Sequence, residues 1–311
     1  MSQNTQKPKL LAVVGPTASG KSSLSVVLAR KFGGEIISAD SRQFYIGNEI
    51  GADTVRGERQ VVDGDEIVVC EGVPHHLVSF RKIDDPVSLA EFKVLATRLA
   101  KAIVARGKLP ILCGGTGLYV SAVTDNYLLP EAEPDPEWRE GMGKRDTADL
   151  FRELREGDPE YANRISPNNR RYIIRALEVM SVTGRPFSRA QAKGEPVFSV
   201  LKIGISRPRP ELYARIDQRV DEMVKAGLLE ETRRLAGKYG WELPAMSGLG
   251  HRQMGMHLRG EADLPEAVRL IKRDTRHYAR RQLIWWRRDP DVRWVSGQEE
   301  AVSLVEGFLV G

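Results

Sequence analysis

Hydrophobic and polar positions in the first third of the chain alternate between two periods. The run "LLAVVG" (10–15) is continuously apolar, the pattern of a strand buried on both faces. A Gly-rich turn follows, then "KSSLSVVLARKF" (21–32), whose apolar positions recur at helical spacing. "GEIISAD" (34–40) predicts a second strand ending on an acid. After a long irregular stretch, "VSLAEFKVLATRLAKAIVARG" (87–107) has helical period and a glycine stop, and "KLPILCGGTG" (108–117) predicts another buried parallel strand. Strands alternating with helices imply a parallel sheet covered by helices on both faces.

"LLPEAEPDPEW" (128–138) breaks that alternation with three prolines and four acids, which predicts a linker and a domain boundary near Pro130 to Pro136. From there to about residue 192 the pattern is wholly helical, and "VFSVLKIGISR" (197–207) returns to strand character. The expected organisation is therefore a disordered lead-in over 1–9, an α/β core built from 10–130 and 197–311, and a helical insertion over 131–196. Beyond the insertion, "PELYARIDQRVDEMVKAG" (210–227) and "LPEAVRLIKRDTRHYARRQLIWWRR" (264–288) predict helices.

Composition adds little to this picture, but charge placement adds more. No apolar run reaches the roughly 20 residues that a membrane span needs, and the opening "MSQNTQKPK" has no signal-peptide core. Cys70 and Cys113 are the only cysteines, too few for a disulfide framework or a zinc site; a cytoplasmic protein is expected. Net charge is only +5, yet Arg164–Lys193 holds seven basic residues and one acid, and Arg269–Arg293 nine against three. Two basic tracts in a nearly balanced chain point to a polyanionic partner or to solvated helix faces. On the second helix Arg269, Arg273, Arg276 and Arg280 are spaced to share one face.

The segment Gly15, Pro16, Thr17, Ala18, Ser19, Gly20, Lys21, Ser22 fits G-x-x-x-x-G-K-[ST] between a strand and a helix. Its glycines let backbone N–H groups converge on phosphate oxygens, the helix terminus adds positive potential, and Lys21 adds a mobile charge. Ser22 is placed to reach a Mg²⁺ ion. The motif is the nucleotide-binding, ATP-binding signature of the P-loop, but it does not say what carries the phosphate. Asp40, closing the next strand, suits a metal-holding carboxylate or a base equally well. His75 and His76 are adjacent, diverge, and fit a structural role better than a metal. Trp285 and Trp286 receive no site role, one being expected in the core.

Four segments taken in order, "GPTASGKSS", "ISADSRQFYIGNEIG", "GVPHHL" and "CGGTGLYV", resemble the tRNA dimethylallyltransferases, the isopentenyl-tRNA transferases. The resemblance continues through "ISPNNRRYIIRALEV", "RPRPELYARIDQRVDEMVKAGLLEE" and "DTRHYARRQLIWWRR", from about Leu11 to Arg288. It implies a P-loop NTPase-like core with a helical, tRNA-binding insertion. It also implies transfer of a dimethylallyl group from dimethylallyl diphosphate to N6 of an adenosine beside the anticodon, by a protein expected to be a monomer. On the matching positions, Thr17 to Ser22 would hold the diphosphate with Mg²⁺ at Ser22, and Asp40 would be the base. Thr116 would lie beside the reaction channel, and Arg219 would bind the diphosphate. Ser41, Arg42 and Gln43 would contact the tRNA anticodon stem-loop, as would Arg139, Arg170, Arg171, Arg175, Arg276 and Arg280.

The chain departs from the family pattern at three places. "IGADTVRGE" replaces "IGTAKP", Tyr172 stands where an arginine is usual, and Gly250-His251 replaces "GY". Two other readings stay open on the residues alone: a small-molecule or nucleotide kinase on the same scaffold, and a non-enzymatic RNA-binding protein.

Overall fold

The computed structural model describes residues 7–62, 64–129, 135–190 and 192–311. Contacts divide it into one unit of Met1–Thr124 with Val197–Gly311, and a second of Asp125–Pro196. The first begins with strand β1 (Lys9–Val14), helix α1 (Lys21–Phe32) and strand β2 (Gly34–Ser38). Then come β3 (Glu58–Val62), β4 (Asp65–Cys70), β5 (Val73–His76), α2 (Leu89–Ala105), β6 (Leu109–Gly114) and α3 (Gly117–Thr124). After the second unit it resumes with β7 (Ser199–Ile205).

The eight strands, including β8 (Val292–Val295), form one sheet in the order β3-β4-β5-β2-β6-β1-β7-β8. β1 is central, paired in parallel with β6 and β7. Strict period-2 alternation divides its side chains: Leu10, Ala12 and Val14 join the core on one face, Leu11 and Val13 the core on the other.

The sheet is mixed rather than wholly parallel. β4 runs antiparallel to both β3 and β5. These three strands occupy the segment expected to be irregular. β3 is exposed along nearly its whole length, so it carries no apolar signal. The β4–β5 turn at Glu71-Gly72 has positive φ at both central positions, the geometry of a tight hairpin. At the front, Lys9 is the first residue of β1, and its Nζ donates to Leu309 O at 2.7 Å. The expected disordered lead-in therefore ends before Lys9; residues 1–6 of it lie outside the described residues, as do 130–134 of the expected linker.

Between β7 and β8 lie four helices, α9 (Arg209–Lys225), α10 (Leu228–Tyr239), α11 (His251–Leu258) and α12 (Leu264–Arg287). The chain closes with α13 (Gln298–Val310). α12 has a full set of start signals: Asp263 accepts from Glu266 N at 2.8 Å, and Pro265 occupies the first turn.

The second unit contains α4 (Pro136–Gly143), α5 (Thr147–Gly157), α6 (Pro159–Ala162), α7 (Arg170–Thr183) and α8 (Phe187–Ala190). Its own core gathers Leu150, Leu154, Tyr161, Ile173, Leu177 and Phe187. Its two ends run side by side, with Tyr127 bridged to Lys193 and Asn126 Nδ2 donating to Glu195 O at 2.7 Å.

Candidate active site

Gly15 to Ser22 form the β1–α1 loop. Gly20 precedes α1 with φ of 98°, a left-handed conformation that a side chain would strain. The loop is braced from outside. Arg207 Nε donates to Ser19 O (2.5 Å), Arg215 Nε to Ala18 O (2.9 Å) and Arg219 Nη1 to Thr17 Oγ1 (3.0 Å). Three guanidiniums surround this strand–helix loop at a helix N-terminus, Arg207 and Arg219 also pairing with Glu211 and Asp53. Inside it, Lys21 is buried and donates to Pro16 O at 3.3 Å. Burial lowers the Lys21 pKa, and the negative charges of Asp40 and Asp53 oppose that. Ser19 Oγ is buried with no hydrogen-bond partner among the described residues. It is a donor suited to an oxygen that the protein itself does not supply.

α12 ties this loop to the next one. Gln282, almost fully buried, accepts from Thr17 N at 2.8 Å and donates to Gly115 O at 2.9 Å. Thr116 follows Gly115 at the carboxyl end of β6, so one amide fixes the phosphate loop against the Thr116 loop. The Thr17 N–H is thereby committed to the protein, as is that of Ser19, which donates to Pro16 O at 3.3 Å.

Asp40 sits two residues past β2, the edge at which parallel sheets bind ligands. One carboxylate oxygen accepts from Arg42 N at 3.1 Å, which fixes the side chain. The other has no protein partner among the described residues. Asp40 lines a cavity of about 500 Å³ together with Thr17, Arg219, Tyr278 and Arg281. Burial pushes the Tyr278 phenol up to about 12, with Asp40 adding to the rise, so it is a neutral donor beside that carboxylate.

The segment after Asp40 is anchored by Phe44 and Tyr45 in the core and positioned by a set of polar contacts. Gln43 accepts from Ser38 Oγ (2.9 Å) and donates to Asp53 O (3.1 Å), and Arg42 donates to Pro244 O (3.0 Å). Ser41 lines the cavity. Buried Glu231 accepts from the N–H groups of Ile50 and Gly51 at 2.9 and 2.7 Å. His251 is buried between Thr232 (2.7 Å) and Asn48 (2.6 Å), and burial, with Arg42 and Arg234 nearby, lowers its pKa to about 4. It is a neutral strut for the loop that carries Asp53.

A family model described as IPP transferase matches residues 43–289. A tRNA dimethylallyltransferase from Moorella thermoacetica is 43% identical over 99% of this chain and 96% of its own. The chain belongs to this family. A second tRNA dimethylallyltransferase, from Roseiflexus sp., is 42% identical over 96% of this chain and 98% of its own. Among solved structures, a tRNA isopentenylpyrophosphate transferase from Bacillus halodurans is 36% identical, with a TM-score of 0.71 over 98% of this chain and 96% of its own. A eukaryotic dimethylallyltransferase acting on tRNA has a TM-score of 0.81 at 24% identity, covering 97% of this chain and 80% of its own; it shares the P-loop NTPase-like fold.

The residues that the family resemblance singles out fall into two groups. Asp40, Ser41, Arg42, Thr17 and Arg219 meet at the cavity. Most of the arginines expected to contact tRNA are engaged within the protein. In the second unit Arg139 and Arg175 both pair with buried Glu178 at 2.6 and 2.5 Å. Burial alone would raise the Glu178 pKa, and these two guanidiniums hold it below the usual carboxylate range. Arg170 donates to the carbonyls of Met142, Gly143 and Arg145, which staples the α4–α5 turn. Arg171 and Tyr172 are exposed.

On α12 the anticipated stripe is largely paired: Arg269 with Glu266, Arg273 with Asp274, and Arg276 with Asp217 on α9. Arg280 alone of the four lacks an acid among the described residues. Sequence reasoning missed Gln282, Tyr278, Arg281 and Asp53. The first three lie within "YARRQ", spaced so that one turn of α12 faces the site.

His76 Nε2 bonds buried Glu35 at 2.7 Å, and Arg106 joins the same carboxylate at 2.7 Å. The histidine is structural. Trp286 is fully buried and Trp285 is 41% exposed, so one tryptophan does belong to the core. No helix among the described residues is long and apolar enough to cross a membrane.

Proposed function

We propose that the chain transfers the dimethylallyl group of dimethylallyl diphosphate to the exocyclic N6 of an adenosine beside the anticodon of tRNA, releasing pyrophosphate. The observation that carries this reading is the meeting of Asp40 with Arg219 and Thr17 around one cavity. It is joined by the family membership. A carboxylate with a free oxygen on one side and a cationic loop on the other suits an amine attacking a carbon whose leaving group is an anion.

The C1–O bond to the diphosphate breaks as the C1–N6 bond forms. Charge accumulates on the departing pyrophosphate, where the loop N–H groups, Ser19 Oγ, Lys21 and Arg219 stabilise it. The N6 proton passes to the unpartnered oxygen of Asp40, a step typically contributing 10²–10⁴-fold. Mg²⁺ would be held by the Ser22 hydroxyl, exposed at the start of α1, together with oxygens of the diphosphate. It would supply charge neutralisation of the diphosphate. The adenine must leave its stack to reach the cavity, which costs a few kcal/mol. Tyr278, which lines the cavity, would contact it there.

The test incubates the protein with unmodified tRNA, labelled dimethylallyl diphosphate and Mg²⁺. Label on an adenosine next to the anticodon is expected, and no label under conditions where the tRNA binds would falsify the proposal. Thermal shifts discriminate the kinase reading: dimethylallyl diphosphate with Mg²⁺ is expected to stabilise the protein more than ATP with Mg²⁺.

A further inference from the structure

α12 has a second basic face that the expected stripe does not include. From Arg280 onward, Arg280, Arg281, Ile284, Trp285, Arg287 and Arg288 are exposed, while Ala279, Gln282 and Trp286 are buried. At about 100° per residue the six exposed side chains cover one continuous sector of about 160°, and the buried ones lie in the remaining arc. None of these four arginines has an acid or carbonyl partner among the described residues, unlike Arg269, Arg273 and Arg276 one to four turns earlier. The pairing of α12 arginines with acids thus ends at Arg276, and the four that follow it are left for a partner outside the protein.

Trp285 lies in the middle of this face. Its indole rests on Gly117, so closely that a Cβ there would come within 2.3 Å of ring atoms. Gly117 follows Thr116 directly and opens α3. The backbone therefore supports one side of the indole, and 41% of the residue remains open to solvent. Leu118 beside it is 40% exposed and Ile284 is 43% exposed. On the cavity side the face is continuous with the active site through Arg281, which lines the cavity with Asp40 and lies over the Tyr278 ring at 5.7 Å.

We propose that this face of α12 docks the unpaired nucleotides flanking the target adenosine, with Trp285 as the platform on which a neighbouring base stacks and the four arginines on the backbone phosphates. The inference rests on the RNA-modifying reading above. A flat aromatic backed by protein and ringed by uncompensated guanidiniums has the make-up of a single-strand binding surface, since every base offers a π-face and every linkage a negative charge. An acidic protein partner would satisfy the arginines but has no need of the indole.

The experiment measures binding of an anticodon stem-loop RNA carrying 2-aminopurine next to the target adenosine, without any prenyl donor. Trp285→Leu keeps an apolar side chain on Gly117 and removes the ring; Trp285→Phe keeps a ring. Trp285→Leu is expected to weaken binding roughly 5- to 150-fold and to abolish the quenching of 2-aminopurine, while Trp285→Phe retains most of both. Arg287→Ala with Arg288→Ala is expected to flatten the dependence of log affinity on log salt by about 1 to 2.

Equal binding by the Leu and Phe variants, or an unchanged salt slope in the arginine pair, overturns the proposal. If the melting temperature of Trp285→Leu falls, the arginine pair decides. Wild-type protein that binds the stem-loop but transfers no prenyl group would refute the functional reading and leave this surface standing. Active protein whose variants all bind like the wild type would do the reverse.

Discussion

Arg219 and Asp53 form an ion pair at 3.0 Å, in which the aspartate is the more exposed partner. The other arm of the same guanidinium holds Thr17 of the phosphate loop. An anion thus already stands where a diphosphate would draw Arg219, and it stands on the segment where "IGADTVRGE" departs from the family's pattern. Asp53→Asn is expected to tighten pyrophosphate binding several-fold, read by calorimetry, because the competing charge is gone. Arg219→Ala should lower kcat/KM roughly 10²–10³-fold, as loss of one donor to a developing anion does. Tighter binding in Arg219→Ala would contradict this assignment.

Asp40→Asn retains the hydrogen-bond acceptor that fixes the turn at Arg42 but cannot accept a proton. We expect kcat to fall by about 10²–10⁴-fold while tRNA affinity changes little. Single-turnover rates and filter binding separate the two. A parallel loss of affinity would make Asp40 a binding residue.

Gln282→Ala removes both ties between the phosphate loop and the Thr116 loop and leaves Gly115 O buried without its donor. The expected cost is about 1–3 kcal/mol of stability, from urea melts. A fall in kcat with tRNA affinity unaltered is expected too, because Gln282 orders the reacting groups without touching RNA.

His251 gives stability a pH dependence whose sign is fixed by its surroundings. Its folded pKa, about 4, lies below its ordinary value of 6.5. The unfolded chain therefore binds the proton more readily, so this contribution is fully present above pH 6.5 and is lost as pH falls toward 4. The shift corresponds to something on the order of 3 kcal/mol. Glu231 faces the same ring at 3.6 Å, and burial raises its pKa, which works in the opposite direction. Melting temperatures between pH 7 and 5 should fall less steeply in His251→Gln than in the wild type.

The parallel core was legible because β1, β2, β6 and β7 are buried strands, whose apolar runs owe nothing to context. β3 was not, because an exposed edge strand has no apolar run to read. The phosphate loop and Asp40 could be found from motif and edge position alone. Gln282 could not, since an amide's value lies in what it bridges 265 residues away. The arginines show the same limit. Spacing placed Arg269, Arg273, Arg276 and Arg280 on one face, but whether a guanidinium is free depends on acids from other elements, such as Asp217 for Arg276. Charge counts in a segment do not distinguish a structural staple like Arg170 from an open one like Arg287.

The paired ends of the second unit, held by the Tyr127–Lys193 bridge, have a bearing on how such a chain can diversify. Because entry and exit are clasped together, everything between them can lengthen, shrink or be exchanged while β7 keeps its register on β1. The entropic penalty of a longer excursion grows only logarithmically. The pairing of β7 with β1 therefore places no limit on how long the intervening segment is.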